Sequence, residues 1–406
     1  MKIGIDARMY RSSIAGIGRY SQNLIRNLLE IDQDDEFVLF MTSKDKEEFD
    51  KLKIVNLLKI KNCKLKIVVV DISHYSIAEQ TKLPQIIARE KCDLVHFLNL
   101  NHPIYYKGKF IITIHDLTLL FYPETARETN FIKRLAFKKV LKSALKNSVK
   151  IIAVSENTKK DITKRFNVSN NKIQVIYEAA DDKGLTNVSD KTIENIKARY
   201  AISNKPVILY VGQWRPHKNI VGLVEAFGIL KKSIDATLVL VGKPDPKHKA
   251  VFEAIDASTG SASTSSSLIL GVEDLSEVER VDKLGFSSDI VMPGFVSSDE
   301  LSAWYKIASV FVFPSFYEGF GLPGLEAMAA GVPVVVSDKS SLPEVYADAA
   351  IYFDPFNPEN IADKIKIVLD NDKLKQELIV KGKTQAAKYS WRKTAHQTLE
   401  VYHKVV

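Results

Sequence analysis

Two cysteines, Cys63 and Cys92, are all that the 406 residues contain. They are too few and too far apart for a disulfide framework or a zinc site, and a reducing cytoplasm is the expected setting. No apolar run approaches the roughly 18 residues of a membrane span. The opening MKIGID puts Asp6 where a signal peptide needs an apolar core, so export is not expected. The aromatic residues form no stacking platform, and no nucleic-acid motif is present. No sequence repeat relates the two halves. What remains is the composition of a soluble globular protein, 46% hydrophobic and 26% charged with a mean hydropathy of −0.07. It is too long for one ordinary core and suits two domains of about 200 residues each.

The net charge of +8 is unevenly placed. Residues 1–185 hold 32 Lys and Arg against 22 Asp and Glu, whereas residues 186–406 hold 25 against 27. A basic first half suits an anionic membrane surface or a phosphorylated acceptor. In the helical stretch 131–150, Lys138, Lys142 and Lys146 share one stripe, with Phe137, Leu141, Ala144 and Leu145 beside them. Two readings stand there: a solvated face over a domain core, or a surface touching anionic lipid. Between Ser258 and Ser267, eight of ten residues are Ser or Thr, which reads as a flexible surface insertion.

Short apolar strands alternate with helical stretches throughout, the pattern of parallel sheets covered by helices on both faces. The first series comprises Lys2–Ile5, Phe37–Phe40, Leu65–Val70, Leu94–Phe97, Phe110–Ile114, Ile151–Val154 and Ile173–Ile176. A polar connector, with one helical piece at Thr192–Arg199, leads to the second. That series comprises Val207–Val211, Thr237–Val241, Ile290–Met292, Val310–Phe313, Val334–Val336 and Ile351–Phe353. The expected fold is α/β, two doubly wound Rossmann-like domains with the carboxyl ends of both sheets beside a shared cleft.

The stretch Glu318–Glu326, EGFGLPGLE, follows one such strand and brackets a glycine turn with two carboxylates. Gly319 and Gly321 let backbone approach a ligand, and Pro323 suits a first helical position. The helix start then offers amides and the positive dipole end to a phosphate. Glu318 and Glu326 can accept bonds from hydroxyls on either side of it, which describes a nucleotide sugar. The alternative is a tight loop with two surface glutamates. Arg215 and Lys218, in QWRPHKN after Val207–Val211, fall on an exposed loop at the same edge of the sheet and can neutralise a diphosphate without a metal. No metal or other cofactor is therefore expected. Gly16-Ile17-Gly18-Arg19-Tyr20-Ser21 has serine where a dinucleotide fingerprint needs its third glycine, leaving a glycine loop that opens a helix as an anion contact. His115-Asp116 follows Phe110–Ile114, where a histidine either bonds a sugar hydroxyl or is satisfied by local backbone. Asp32-Gln33-Asp34 and Asp370-Asn371-Asp372 match a bare Asp-x-Asp metal pattern but read as surface charge.

In this order the chain resembles the retaining family 4 glycosyltransferases of the GT-B fold, in the bacterial branch that builds O-antigen and other polysaccharides and includes mannosyltransferases. The resemblance covers nearly all 406 residues. It is carried by GIGRY at Gly16–Tyr20, HD at His115-Asp116, VSE at Val154–Glu156 and GQWRPHKN at Gly212–Asn219. PSFYEGFGLPGLEAMAAGVPVV at Pro314–Val335 and SSLPEV at Ser340–Val345 complete it. It implies an acceptor domain over 1–178 completed by a final helix within 392–406, a connector at 179–204 and a donor domain over 205–391. It further implies that Glu318 contacts donor sugar hydroxyls and Glu326 the ribose, with amides around Phe320, Gly321 and Leu322 at sugar and phosphate. Arg215 and Lys218 would hold the diphosphate, Val296 would border the base, His115 would lie near the reacting sugar, and the Gly16 loop near phosphate and acceptor. The implied reaction moves a hexose, of mannose or glucose type, from a GDP- or UDP-sugar to a glycan or lipid-linked acceptor without metal, in the cytoplasm or at the inner face of the membrane. A sugar-nucleotide epimerase, a phosphorylase and a silent sugar-nucleotide-binding subunit are the alternatives on the same scaffold. Two departures stand out: Ala179 where the interdomain region often has glycine, and the Ser-rich insertion before the base-bordering strand.

Overall fold

The computed structural model describes residues 1–11, 14–52, 64–123, 131–180, 188–202, 204–243, 250–251, 253–255 and 289–406. The Ser-rich insertion and Cys63 lie outside these. The chain forms two compact units, one of Met1–Leu117, Ala126–Glu178 and Tyr389–Val406, the other of Thr118–Thr125 and Ala179–Lys388.

In the first unit the described strands are β1 (Lys2–Asp6), β2 (Glu36–Met41), β3 (Lys64–Val69), β4 (Leu94–Phe97), β5 (Phe110–Ile114), β6 (Lys150–Ala153) and β7 (Ile173–Val175). They make one parallel sheet in the order β3-β2-β1-β4-β5-β6-β7. Central strands such as β4 and β5 are buried along their whole length, as a sheet covered on both faces requires. The edge strand β3 instead exposes Lys64 and Lys66, which discourages pairing with another chain. The helix Trp391–Val405 packs on the helix Ala15–Ile31. Three side-chain bonds fasten it: Tyr402 Oη to His96 Nδ1 at 2.7 Å, Thr394 Oγ1 to the Tyr177 carbonyl at 2.7 Å, and His403 Nε2 to Asp35 Oδ2 at 2.9 Å.

The second unit carries β8 (Val207–Val211), β9 (Thr237–Val241), β10 (Ile290–Gly294), β11 (Val310–Phe313), β12 (Val334–Ser337) and β13 (Ala350–Phe353) in the parallel order β10-β9-β8-β11-β12-β13. The chain builds outward from β8 through β9 to β10, then returns to β11 on the other side of β8. This reversal leaves an opening at the carboxyl ends of β8 and β11, where open α/β sheets bind ligands.

Two expectations fail locally. Gly16 and Gly18 do not form a loop; the helix already begins at Ala15. A Cβ on Gly18 would lie 2.1 Å from the Arg11 carbonyl oxygen, so that glycine permits a close chain approach, whereas Gly16 is exposed and meets nothing within 4 Å. Asp32 is not surface charge either. It is 6% exposed, ends the first helix, and accepts the amides of Asp34 and Asp35 at 2.9 and 3.2 Å. Asp370, Asn371 and Asp372 are exposed, as expected.

Candidate functional site

The loops after β8 and β11 carry Arg215, Lys218 and Glu318. After Gly212 and Trp214, Arg215 adopts extended backbone and precedes a 3-10 turn at Pro216–Lys218. Asn219 then turns left-handed, φ 55°, and caps the helix Ile220–Leu230. Its carboxamide accepts the Gly222 amide at 3.3 Å and donates to the Pro355 carbonyl at 2.7 Å. Lys218 is thereby set against the neighbouring loop. Its Nζ lies 2.6 Å from Glu318 Oε1, and the Ser315 hydroxyl donates to the same oxygen at 2.6 Å. The two charged side chains are only 17% and 11% exposed, so Lys218 does not stand on an exposed loop. The Phe316 amide donates to the His217 carbonyl at 2.8 Å and ties the two loops together. His217 is buried, and its pKa falls to about 2, first through burial and then through the charges of Lys218 and Arg215.

The glycine turn is held by residues that no charge pattern announced. The Glu318 amide donates to Ser340 Oγ at 2.8 Å, and the hydroxyls of Ser340 and Ser341 donate back to the Glu318 carbonyl at 3.1 and 3.0 Å. Ser341 also reaches the Phe320 carbonyl at 3.2 Å. Gly321, at φ 107°, starts the helix Leu322–Ala329 without a side-chain cap. A Cβ would lie 2.5 Å from Tyr346 Oη at Gly321 and 2.3 Å at Gly324. The space at these two glycines is therefore taken by the protein's own Tyr346, whose hydroxyl donates to the Gly321 carbonyl, rather than left for a ligand. At the start of this helix Pro323 has no amide hydrogen and the Gly324 amide is bonded to the Tyr346 hydroxyl, so what the turn offers an anion is chiefly the positive end of the helix dipole.

Neither glutamate is a surface charge. Glu318 is 9% exposed and Glu326 only 2%, with Tyr305 Oη donating to Glu326 Oε2 at 3.0 Å. Phe320 is buried, and Leu322 opens the helix that carries Glu326. Val296 sits just past the carboxyl end of β10, separated from β8 by β9, and precedes the capping box of Ser297 and Glu300. The structure thus brings Lys218 and Glu318 into contact and arrays Phe320, Gly321, Leu322 and Glu326 along one turn and helix. Val296 stands apart on another strand end.

In the first unit, His115 follows β5, with Nδ1 at 2.8 Å from Glu178 Oε1 and Nε2 at 2.9 Å from the Leu98 carbonyl oxygen. Its ring meets Tyr20 edge to face, centroids 4.6 Å apart. Gly16 is on the same helix as Tyr20, one turn earlier. Among the described residues, Asp32, Asp35 and His403 form the one His/Cys/Asp/Glu group spaced for a metal ion, and it does not include any of the expected site residues.

Two family models match the chain: "Glycosyltransferase Family 4" over residues 14–183 and "Glycosyl transferases group 1" over residues 192–385. Together they take in most of its length. The chain is a family 4 glycosyltransferase. It is 26% identical to O-antigen chain mannosyltransferase B of Escherichia coli over 410 residues, covering 99% of both chains. In structure it is similar to the sucrose-phosphate synthase of Thermosynechococcus elongatus, with a TM-score of 0.72 at 18% identity, covering 100% of this chain and 99% of that one. It is likewise similar to Anabaena HepE in complex with UDP-glucose, with a TM-score of 0.70 at 15% identity and 100% coverage of both. These likenesses give the glycosyltransferase the GT-B fold.

Sequence reasoning about this glycosyltransferase missed Ser315, Ser340, Ser341, Tyr346 and Tyr305, which hold the Glu318–Glu326 segment, and Glu178, which holds His115. The SSLPEV segment was the available signal for Ser340 and Ser341, since adjacent hydroxyls ahead of a helix commonly bond nearby backbone. It also missed a stack of rings, Phe356 on Phe316 at 4.6 Å and Tyr122 beyond at 6.2 Å, which flanks the turn before Glu318.

Proposed function

We propose that the enzyme moves a hexose, mannose first among candidates, from a nucleotide diphosphate sugar to a hydroxyl of a glycan or lipid-linked acceptor, with retention of configuration. The observation that carries this is the Lys218–Glu318 pair, 2.6 Å apart at the opening between β8 and β11. Support comes from the relative named as an O-antigen chain mannosyltransferase and from the similar chain solved with UDP-glucose. In this reading Lys218 is held in place by Glu318 until the donor arrives. The diphosphate then takes over Lys218, with Arg215 beside it and the helix at Leu322 behind. Glu318 is released to accept from a sugar hydroxyl, and Glu326 serves the ribose from the middle of its helix. Negative charge grows on the diphosphate as the glycosidic bond breaks, and donors already aimed there stabilise it without reorganising. Among the described residues no carboxylate is placed as an evident nucleophile, so front-face attack assisted by the leaving phosphate is favoured over double displacement. Incubation with GDP-mannose, GDP-glucose, UDP-glucose and UDP-galactose, each with a lipid-linked glycan acceptor, tests the reading. One of them should raise the melting temperature by ligand linkage and give an α-linked product from an α-donor. A product of inverted configuration would defeat the retaining assignment, and donor turnover to an epimer without acceptor would favour the epimerase.

Metal independence belongs to the same proposal. Arg215, Lys218 and the helix start supply the positive potential that a divalent ion gives in Asp-x-Asp enzymes. Transfer is expected to persist in excess EDTA; complete loss, restored by manganese, would reverse this.

The membrane side of the proposal rests on the helix Phe131–Asn147. Leu141, Ala144 and Leu145 are buried and Lys138, Lys142 and Lys146 exposed, so the apolar stripe packs inward and the lysines face out. Lys142, Lys146, Arg165 and Lys172 also line a shallow cavity of about 610 Å³ whose lining includes no carboxylate. Among the described residues, no helix is long and apolar enough to cross a membrane, which leaves surface contact as the proposed mode. Each lysine at an anionic surface contributes on the order of 1 kcal/mol, screened by salt. Replacing Lys138, Lys142 and Lys146 by serine should weaken sedimentation with phosphatidylglycerol vesicles at low salt and leave nucleotide binding unchanged. Equal sedimentation of both proteins would return the helix to a solvated face.

A further inference from the structure

His115 is bonded at both ring nitrogens, and both partners, the Glu178 carboxylate and the Leu98 carbonyl, can only accept. Satisfying the two together requires hydrogen on Nδ1 and on Nε2, which makes the ring an imidazolium. The remaining neighbours are compatible with that charge. Asp116 adds negative charge next in the chain, and the Tyr20 ring meets the imidazole in a T-shaped arrangement at 85°. His96 is fully buried between Tyr402 and Thr113, and burial, followed by the charge of His115, pushes its pKa down to about 3. Burial also works against the charge on His115. The bond and charge of Glu178, with help from Leu98 and Asp116, outweigh it and raise the pKa above the ordinary 6.5.

We propose that Glu178 is a positioning residue for hexosyl transfer: by anchoring Nδ1–H at 2.8 Å it holds His115 as an imidazolium whose Nε2–H is the donor offered to a hydroxyl of the transferred sugar. The asymmetry of the two bonds carries the assignment. The bond to Glu178 is charge-assisted on both sides, whereas the bond to Leu98 joins a cation to a neutral carbonyl. A sugar hydroxyl replaces that neutral acceptor at little net loss, but replacing Glu178 would strand a charge. The backbone beside Glu178 is itself tied down, since the Thr394 hydroxyl of the final helix donates to the Tyr177 carbonyl at 2.7 Å. This inference rests on the hexosyl-transfer reading above and on the place near the reacting sugar that the family resemblance implies for His115.

The test is Glu178→Gln, which keeps an oxygen acceptor but removes the charge. The His115 ring is titrated by NMR in histidine-labelled protein, assigned with His115→Asn, and kcat is followed against pH with the best donor. In wild type His115 should titrate above 6.5, and kcat should fall as pH rises through that value because the protonated ring is the active form. In Glu178→Gln both the titration and the alkaline limb of kcat should move down together by about one pH unit or more. The variant should then be about tenfold slower than wild type above neutrality and approach it in acid, with little change in the donor KM. A structural role alone would lower kcat at every pH and leave the limb in place. Titration of wild-type His115 at or below 6.5, or an unmoved limb in Glu178→Gln, overturns the proposal. The titration needs no turnover, so a wild type that transfers no hexose counts against the functional reading and still leaves the state of His115 decided.

Discussion

Lys218→Ala is expected to lower turnover about 10²–10³-fold, equivalent to ~3–4 kcal/mol, the usual effect of removing one preorganised donor from a site of growing negative charge. Arg215→Ala should fall in the same range. The two should differ in stability. Lys218 is the partner of Glu318 at 2.6 Å in a half-buried setting, so its removal takes away the cation and leaves the Ser315 hydroxyl on the same carboxylate oxygen. A bond to a charged group contributes about 1.5–3 kcal/mol, and Lys218→Ala should lower the thermal midpoint by a few degrees. Combining Lys218→Ala with Glu318→Gln should lower stability by less than the two single losses added, because the residues touch. Near-normal turnover in both single variants would remove the two cations from the mechanism, and additive stability losses would show that the Lys218–Glu318 contact contributes nothing.

Glu318→Gln and Glu326→Gln should fail in different ways. Glu318 lies on the turn with one oxygen shared by Lys218 and Ser315, and on the proposed reading it stands beside a centre that becomes cationic as the glycosidic bond breaks. Its glutamine variant should lose about 10²-fold or more in kcat while binding free nucleotide diphosphate nearly as well as wild type. On the proposed reading Glu326 contacts the donor equally before and during bond breaking, so Glu326→Gln should raise KM more than it lowers kcat. Tyr305 at 3.0 Å gives a control: Tyr305→Phe removes the hydroxyl that orients Glu326 and should reproduce a weaker form of the same KM effect. Calorimetry with the nucleotide diphosphate, run beside steady-state kinetics, decides the matter. Weak nucleotide binding in Glu318→Gln with normal binding in Glu326→Gln would reverse the two roles.

Much of this architecture is written locally. Runs such as Val207–Val211 and Val310–Phe313 are apolar without alternation, and only a strand buried on both faces has that pattern. Alternation of such runs with helical stretches then specifies parallel sheets, and polar segments mark where one series stops and the next begins. Strand ends are less legible because a ladder continues wherever the neighbour supplies partners: β10 runs on to Gly294, two residues past its apolar stretch, since it still pairs with β9 there. The glycines of Gly16–Gly18 read as a loop for a related reason. Glycine is permissive rather than prohibitive in a helix, and contact with the Arg11 carbonyl, invisible in the sequence, is what selects it at Gly18.

By itself, the sequence determined the fold class, the family and the segments that carry charge beside glycine turns, because each of these follows from local pattern and spacing. The tertiary structure decided what those charges face. Lys218 and Glu318 are 100 residues apart and meet because strand order places β11 against β8; no local periodicity records which strands become neighbours. The same holds for Asp32, polar in sequence and buried in the fold. It holds also for Gly321 and Gly324, whose missing side chains make room for Tyr346 rather than for a ligand, and for Glu178, whose anchor on His115 spans 63 residues. Burial and pairing are properties of the assembled sheets. A carboxylate, a lysine or a histidine acquires its chemistry from the groups that assembly brings within about 3 Å, and a linear pattern of residue types does not contain that distance.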